Sequence, residues 1–430
     1  MWKPFNLPMH IGKRAAAFGL LILSTAVASA SNGGADTRTI SLREAVNKTL
    51  SNSPELQAFD YRLKAQEGQL QQAGRAPSPE LSIELEDAVG SGNYTGLDSA
   101  QATVSIGWVL ERGVRQRYID AARAGSDLVA VEADIKRLDA AAETARRYLV
   151  SLGFQARMVN VDKTVQLARE TIEAVARRVK AGKTPEAELL RAQAELARRK
   201  LEREDLEHEL LSANRQLAAQ WGATTLDFAR VEGDILTLPQ LASLDTLQSQ
   251  LQQNPVFARL LSEQRLKKAE LDLALAQEKP SWRVSAGLRH YQSTDDQALV
   301  AGITIPFGEG TRNPGRVAEV RANLAQIDLQ QTVTRVRAET ALFVLYEKLE
   351  HSVHVIETVR SDILPPLEQA LTETRRAYNL GRYSYLELRS VQAELLDAQE
   401  ALIEASIAAH QDIIEIERLT GMRIAQPTQE

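Results

Sequence analysis

The sequence predicts an α+β membrane protein. The expected form is a trimeric tube: a twelve-stranded β-barrel continued by an α-helical coiled-coil barrel, with four strands and two long helical hairpins from each chain. Three observations predict it: an export signal, a chain written twice, and strands too few to close on themselves. Of 430 residues, 44% are hydrophobic but only 5% aromatic. Burial therefore rests on Ala, Leu and Val, as in helix–helix seams. The absence of cysteine excludes a disulfide framework, thiolate metal sites, a cysteine nucleophile and lipidation on an N-terminal cysteine. A net charge of −6 without a concentrated basic tract argues against nucleic acid as a partner.

Residues 1–30 have the form of a secretory signal peptide. Lys3, His10, Lys13 and Arg14 precede an apolar run from Ala15 to Ala26, and Ala28-Ser29-Ala30 supplies small side chains for cleavage. The run is too short for a transmembrane anchor, which needs about 20 residues. Removing Lys3, Lys13 and Arg14 takes the formal charge from −6 to −9.

The remainder repeats at a shift of about 200 residues. Gly182-Lys183-Thr184 before Glu188-Leu189-Leu190-Arg191-Ala192-Gln193-Ala194-Glu195-Leu196 returns as Gly381-Arg382-Tyr383 before Glu387-Leu388-Arg389-Ser390-Val391-Gln392-Ala393-Glu394-Leu395. Ser41-Leu42 with Asn52-Ser53-Pro54 returns as Ser243-Leu244 with Asn254-Pro255. The expected organisation is a first repeat at 31–222, a linker at 223–242, a second repeat at 243–421 and a tail at 422–430.

Each repeat is mostly long helix. Leu128, Val131, Ile135, Leu138, Ala142, Ala145, Leu149, Leu152, Ala156 and Val159 step 3-4-3-4, a heptad seam that requires a partner helix. The phase then slips and resumes at Val165. Leu388, Val391, Leu395, Ala398, Leu402, Ala405 and Ala409 repeat the pattern. Gly182 and Gly381 fall where the hairpins turn back. From Arg112 to Lys180 a continuous helix is roughly 100 Å long.

Four short alternating segments lie between the helices, at about 79–87, 102–110, 281–290 and 298–306. Each taken alone fits a half-buried soluble hairpin as well as a barrel strand. Together with the signal and the duplication they favour the barrel. About eight strands is the smallest closed barrel, and an open edge leaves amides unsatisfied in lipid. Several chains must then share one barrel, and three copies of four strands give twelve. On this reading Glu84, Glu86, Arg283 and Arg289 face the lumen, because charge facing lipid is costly. Trp108, Tyr94 and Tyr291 fit an interfacial aromatic belt or ordinary packing.

The chain resembles the TolC family of outer-membrane efflux channels through its duplicated strand–hairpin plan. More narrowly it is similar to the heavy-metal (cobalt-zinc-cadmium, CzcC-like) branch. That resemblance is carried by Pro79-Glu80-Leu81-Ser82-Ile83-Glu84-Leu85-Glu86-Asp87, by Leu110-Glu111-Arg112-Gly113, and by Gly302-Ile303-Thr304-Ile305-Pro306-Phe307 with Arg312-Asn313-Pro314-Gly315. It implies a homotrimer in the outer membrane with a long periplasmic extension, no catalysis and no cofactor. It also implies docking by the periplasmic tips onto a membrane-fusion adaptor coupled to an inner-membrane proton-driven pump. The cargo implied by the branch is heavy-metal cations: cobalt, zinc, cadmium or copper. Drug efflux and type I protein secretion are the alternatives within the family. A soluble periplasmic adaptor is a distant alternative, since it should carry one hairpin between compact β domains.

The tip turns fall at about 181–187 and 379–386. They make Gly182, Lys183, Thr184, Gly381, Arg382, Tyr383 and Ser384 the docking candidates. Pro185 stands in the first tip where Ser384 stands in the second, so the tips are expected to grip differently. The resemblance also implies inward acidic residues at a tip constriction. Glu387 matches one such position, while a second falls on uncharged Ser390. Three carboxylates around a wet constriction attract cations; the other reading of Glu387 is a solvated residue beside Arg389. His351 and His354 have a metal-binding spacing but no evident third ligand. No nucleophile elbow or phosphate loop is present.

Overall fold

The computed structural model describes residues 38–111, 113–239, 242–306 and 313–421. The expected signal peptide (1–30) and tail (422–430) lie outside the described residues, as do Arg112, Phe307 and Arg312 of the quoted motifs. A short strand β1 (Thr39–Ile40) leads into α1 (Leu42–Asn52), α2 (Pro54–Ala73), β2 (Glu80–Glu86), β3 (Gln101–Leu110), α3 (Val114–Lys180) and α4 (Glu186–Ala219). After β4 (Arg230–Val231) the same order returns as α5 (Leu244–Leu251), α6 (Pro255–Gln277), β5 (Trp282–Tyr291), β6 (Asp296–Thr304) and α7 (Pro314–Thr358). A π-helical turn (Val359–Ile363), α8 (Leu364–Asn379) and α9 (Tyr385–Thr420) complete it.

Polar residues start these helices. The Ser41 and Ser243 hydroxyls accept from the amides of Glu44 and Thr246, satisfying donors with no partner inside the helix. Asn254 caps α6, and its side-chain amide also donates to the carbonyls of Arg418 and Leu419 at 2.9 and 2.8 Å. The end of α9 is thereby tied to the start of its own half. In the first half Gly222, at φ +76°, sits against Pro54, where a Cβ would come within 3.1 Å of the ring.

The helices form a layer one helix deep. Towards the tips the order is α4, α3, α9, then α7 and α8; towards the sheet it is α2, α3, α6, α7. Thus α3 serves both sections, and α7 lies at one edge throughout. The 67 residues of α3 run about 100 Å. The heptad seam read from the sequence is present: Ala142, Ala145 and Leu149 are buried with Val46, Ile235 and Ile414. A second buried seam one residue away went unread because it is largely polar: Ala141, Thr144, Tyr148, Ser151 and Gln155. Two of its polar side chains bond the linker backbone. Tyr148 donates to a backbone carbonyl, Glu232 O, at 2.6 Å, and Gln155 both donates to and accepts from the backbone of Val231 at 2.9 Å. These bonds fix the linker strand β4, which pairs in parallel with β1.

One expectation changes. The outbound leg of the second hairpin is interrupted at the π turn, whereas α3 is continuous. Pro365 and Pro366 follow directly; neither has an N–H to bond the preceding turn, and the helix widens there.

The four long strands form one antiparallel sheet in the order β2-β3-β5-β6. Its register sorts the side chains strictly. Leu81, Ile106, Ala286 and Ala301 share one row, and Ile83, Val104, Leu288 and Leu299 the next on the same face. That face is bare: Ile83 is 73% exposed, Leu299 87% and Ile303 69%. Trp108 lies on it, but Tyr291 aligns with Glu86, Gln101 and Asp296 on the opposite face, so Tyr291 is not part of an apolar belt.

Gly287 faces Ser105, and a Cβ there would fall 2.3 Å from the Val104 carbonyl oxygen. Gly287→Val is expected to cost about 3 kcal/mol and to deplete membrane-extracted folded protein. Gly68→Ala, in open space, should leave the yield intact. Burial pushes the Glu417 carboxyl up to about 7. The folded state therefore holds this proton more tightly than the unfolded chain. Stability should fall as pH rises from about 4.3 through that value, and thermal melts of Glu417→Gln should lose that slope.

Candidate functional site

Two regions collect the candidate residues: the polar face of the sheet and the hairpin tips. Glu84, Glu86, Arg283 and Arg289 all project from the face opposite the apolar one, in register with Thr103, Gln101 and Val109 of β3. Arg289 and Glu86 pair at 2.6 Å, and Arg289 also donates to Thr103 and Gln101 at 2.9 and 3.1 Å. Arg283 pairs at 3.3 Å with Glu80, a partner the sequence reading did not single out, although Glu80 shares the even-numbered face of β2 with Glu84 and Glu86. Glu84 accepts from Ser82 and has no cation within 4.0 Å among the described residues. Both arginine pairs cross over β3, whose residues on this face are short enough to let the side chains pass. Exposed pairs of this kind contribute little stability; their effect is to keep charge on one face of the sheet.

The tips are built from two matching turns. Gly182 and Gly381 have φ of +67° and +78°, the left-handed conformation glycine adopts without strain. The Lys183 amide donates to Arg178 O and the Gly182 amide to Val179 O, both at 2.9 Å. Arg382 and Gly381 repeat this with Ala377 and Tyr378. Both outbound helices thus end in the same double-bonded left-handed cap.

The return helices begin differently, as Pro185 implied. Ser384 and Glu387 form a reciprocal cap: the Ser384 amide donates to the Glu387 carboxylate at 2.6 Å and the Glu387 amide to the Ser384 hydroxyl at 3.4 Å. The bond from the Ser384 amide holds the Glu387 carboxyl below its ordinary pKa. Pro185 offers no side-chain cap, and Glu188, the counterpart of Glu387, instead accepts from the Tyr378 hydroxyl at 3.4 Å. Thr184 is partly covered, and Lys183, Arg382 and Tyr383 are exposed.

The contacts that join the hairpins lie one turn behind the tips. Arg178 stacks on the Tyr378 ring at 4.6 Å and donates to the Tyr378 carbonyl. Tyr378, Tyr385 and Leu388 are buried with Val175 and Ala192, and burial pushes the Tyr378 hydroxyl up to about 12. Tyr378 opens the second tip motif in the sequence, but its contact with Arg178, from the other hairpin, is not visible there. The signal was a pair of tyrosines flanking the second tip. His351 and His354 are exposed on α7. Among the described residues no three His, Cys, Asp or Glu side chains group to hold a metal, and no helix is long and apolar enough to cross a membrane.

Residues 45–223 match the family described as outer membrane efflux protein. Over that stretch the chain is similar to the family. Across 384 residues it is 25% identical to the cobalt-zinc-cadmium resistance protein CzcC of Cupriavidus metallidurans, covering 89% of this chain and 90% of that one. Its fold is that of solved outer-membrane channels. It matches the outer membrane protein VceC of Vibrio cholerae with a TM-score of 0.72 at 19% identity, over 89% of this chain and 96% of that one. It matches CusC, a protein that forms a transmembrane channel, with a TM-score of 0.72 at 16% identity, over 92% and 96%.

Removing the Ser384 hydroxyl should cost about 1 kcal/mol of local stability. Ser384→Ala is therefore expected to speed hydrogen exchange at Tyr385–Leu388 and leave the first tip unchanged. Because the Glu387 pKa is lowered, its share of the cap is present above the ordinary glutamate value, about 4.3, and lost as pH falls below it.

Proposed function

We propose that the protein is the outer-membrane exit duct of a tripartite resistance-nodulation-division efflux system, passing heavy-metal cations such as cobalt, zinc, cadmium or copper to the exterior. The observation that carries the duct is the sheet: among the described residues its apolar face has nothing over it and its two edges, β2 and β6, are unpaired. A soluble coiled-coil protein would expose that face to water, where a patch of this size is unfavourable. In lipid the face is satisfied but the edges are not, so β2 of one copy pairs with β6 of the next. Three copies close a twelve-stranded barrel around the polar face, which makes Glu84, Glu86, Arg283 and Arg289 lumen residues.

The helices support the same closure. Ala187, Leu190, Ala194, Ala197 and Leu201 step 3-4-3-4 along α4, all exposed. Ala318, Ala322, Ala325, Leu329, Thr332 and Val336 do so along α7, also exposed. These are the outer helices of the layer, and each carries a seam that needs a partner helix. The α4 stripe lies beside the tips and the α7 stripe beside the sheet, so each meets a different outer helix of the next copy, α8 and α2 respectively, and such head-to-tail contacts close into a ring. We take 31–222 and 243–421 as the two repeats, 223–242 as their linker, 1–30 as the export signal and 422–430 as the tail. The tips, reaching into the periplasm, form the docking end for an adaptor and its inner-membrane pump. Glu387 contributes an acidic ring there, since only part of its carboxylate is engaged by Ser384. The metal cargo rests on the likeness to the cobalt-zinc-cadmium resistance protein.

Purified protein should run as a trimer and form cation-preferring pores in planar bilayers. Leu329→Asp should shift it to monomer, and Glu387→Gln should reduce the cation preference without abolishing the pore. Deleting the gene should lower tolerance to cobalt, zinc or cadmium. Unchanged metal tolerance with new sensitivity to dyes or detergents would replace metals with drugs as the cargo.

A further inference from the structure

The 3-4 seam of α3 runs through Leu152, Ala156 and Val159, and its next step falls on Lys163. A cation there ends the apolar series, and a cavity of about 350 Å³ opens beside it, between α3, α9, the start of α8 and the linker. Leu152, Ala156, Val159, Leu364, Leu402 and Ile403 give the cavity an apolar lining. Asn160, Lys163, Arg230 and Gln399 stand around it. Both α3 and α9 are flanked within one chain, so the cavity lies away from the edges of the layer where copies would meet.

The polar lining divides by what it already bonds. Gln155 is held by the Val231 backbone, at 2.9 Å in both directions. Asp234 accepts from the Leu236 amide at 3.0 Å and from the Thr237 hydroxyl at 3.2 Å. The carboxylates next in sequence to lining residues are engaged as well. Asp162 pairs with Arg203 at 2.7 Å, Glu400 and Glu404 with Arg157 at 2.6 and 3.7 Å, and Glu232 accepts from Thr39 at 3.2 Å. By contrast, the side chains of Asn160, Lys163, Arg230 and Gln399 make no hydrogen bond or ion pair among the described residues. What is left to bind a ligand is two cations and two amides around an apolar floor.

We propose that this cavity binds an amphipathic anion: a single alkyl chain with a carboxylate or phosphate head. The chain lies on the apolar lining and the head takes Lys163 and Arg230. A volume of about 350 Å³ holds about a dozen water-sized groups, which suits a chain of about eight carbons with its head. An apolar pocket with a few convergent polar groups is the usual anatomy of a small-molecule site. Charge-assisted bonds to lysine and arginine set the sign of the head. Such a site disfavours cations, so it is separate from any path for metal cargo, and it does not depend on the duct reading.

The test uses the full chain in lipid nanodiscs. The chain has no cysteine, so Val159→Cys, at a position 49% exposed, places one thiol in the cavity wall. The readout is the rate at which a neutral maleimide alkylates it. Octanoate and octyl phosphate should each slow alkylation, and octylammonium, octanol and inorganic phosphate should not. In the same background, Lys163→Gln with Arg230→Gln should raise the octanoate concentration needed by about tenfold or more. Lys163→Arg with Arg230→Lys should preserve the protection. Both side chains are exposed and unpaired, so these variants should melt at the temperature of their parent. Protection by octanol or octylammonium equal to that by octanoate would mean an apolar cleft without a head-group site. Protection by inorganic phosphate alone would mean a bare anion site. Either result overturns the proposal, as does a thiol that neither octanoate nor octyl phosphate protects, or protection that survives the loss of both cations.

Discussion

A four-stranded sheet with one apolar face and two open edges cannot be satisfied in either solvent alone. Water rejects the face and hydrocarbon rejects the edges, because an amide without a partner in lipid costs several kcal/mol. The rest of the chain follows from this conflict. Strands of nine and ten residues, β6 and β5, are long enough to cross a bilayer at a tilt but too few to close. On the proposed duct, sharing a barrel among copies supplies what one chain lacks, and the register gathers the charged residues on the face opposite the apolar one. Arg283 and Arg289 reach across β3 to Glu80 and Glu86 on the face opposite the apolar one.

The helical section meets a related requirement by other means. A helix satisfies its own backbone, so the demand falls on side chains. Within one chain α3 and α9 are flanked on both sides, whereas α4 and α7 are flanked on one. Their exposed heptad stripes are the helical counterpart of the open strand edges. Strand edges and helix stripes lie on the same flanks of the molecule, because β2 leads towards α3 and its neighbours α2 and α4, while β6 leads directly into α7. One rotation would then satisfy both.

Much of this was legible in sequence because it depends on period. Strand alternation set the two sheet faces, and heptad spacing set the seam at Ala142, Ala145 and Leu149. Glycines at 182 and 381 marked the turns because a left-handed backbone favours that residue. What escaped notice has no apolar period. Thr144, Tyr148, Ser151 and Gln155 form a polar buried seam from which Tyr148 and Gln155 hydrogen-bond the linker backbone, and hydrophobicity does not reveal it. Arg178 and Tyr378 meet only after two hairpins 200 residues apart in sequence fold side by side. The pairing of Arg283 with Glu80 needed the register, since the two are joined across an intervening strand.

The heptad slips point to one further regularity. In α3 the apolar phase breaks between Val159 and Val165, and in the second hairpin the π turn inserts an extra residue at Val359–Ile363. Both breaks border one cavity of about 350 Å³, lined by Val159 and Leu364 together with linker residues Arg230 and Ile235. The outbound helices have already exchanged neighbours before this level: α3 packs on α4 and α9 at Ala142–Leu149, and α7 packs on α9 at Leu342–Ile356. On the sheet side α3 faces α2 and α6; on the tip side it faces α4 and α9. A straight helix holds one seam in one direction, so a helix re-aims its seam by changing phase. The first hairpin makes the change within continuous α-helix, with polar residues and the linker filling the interval. The second makes it by widening one turn ahead of Pro365 and Pro366, which bars a regular α-helical continuation. The two repeats thus meet the same geometric demand with different local chemistry, much as their tips do with Pro185 and Ser384.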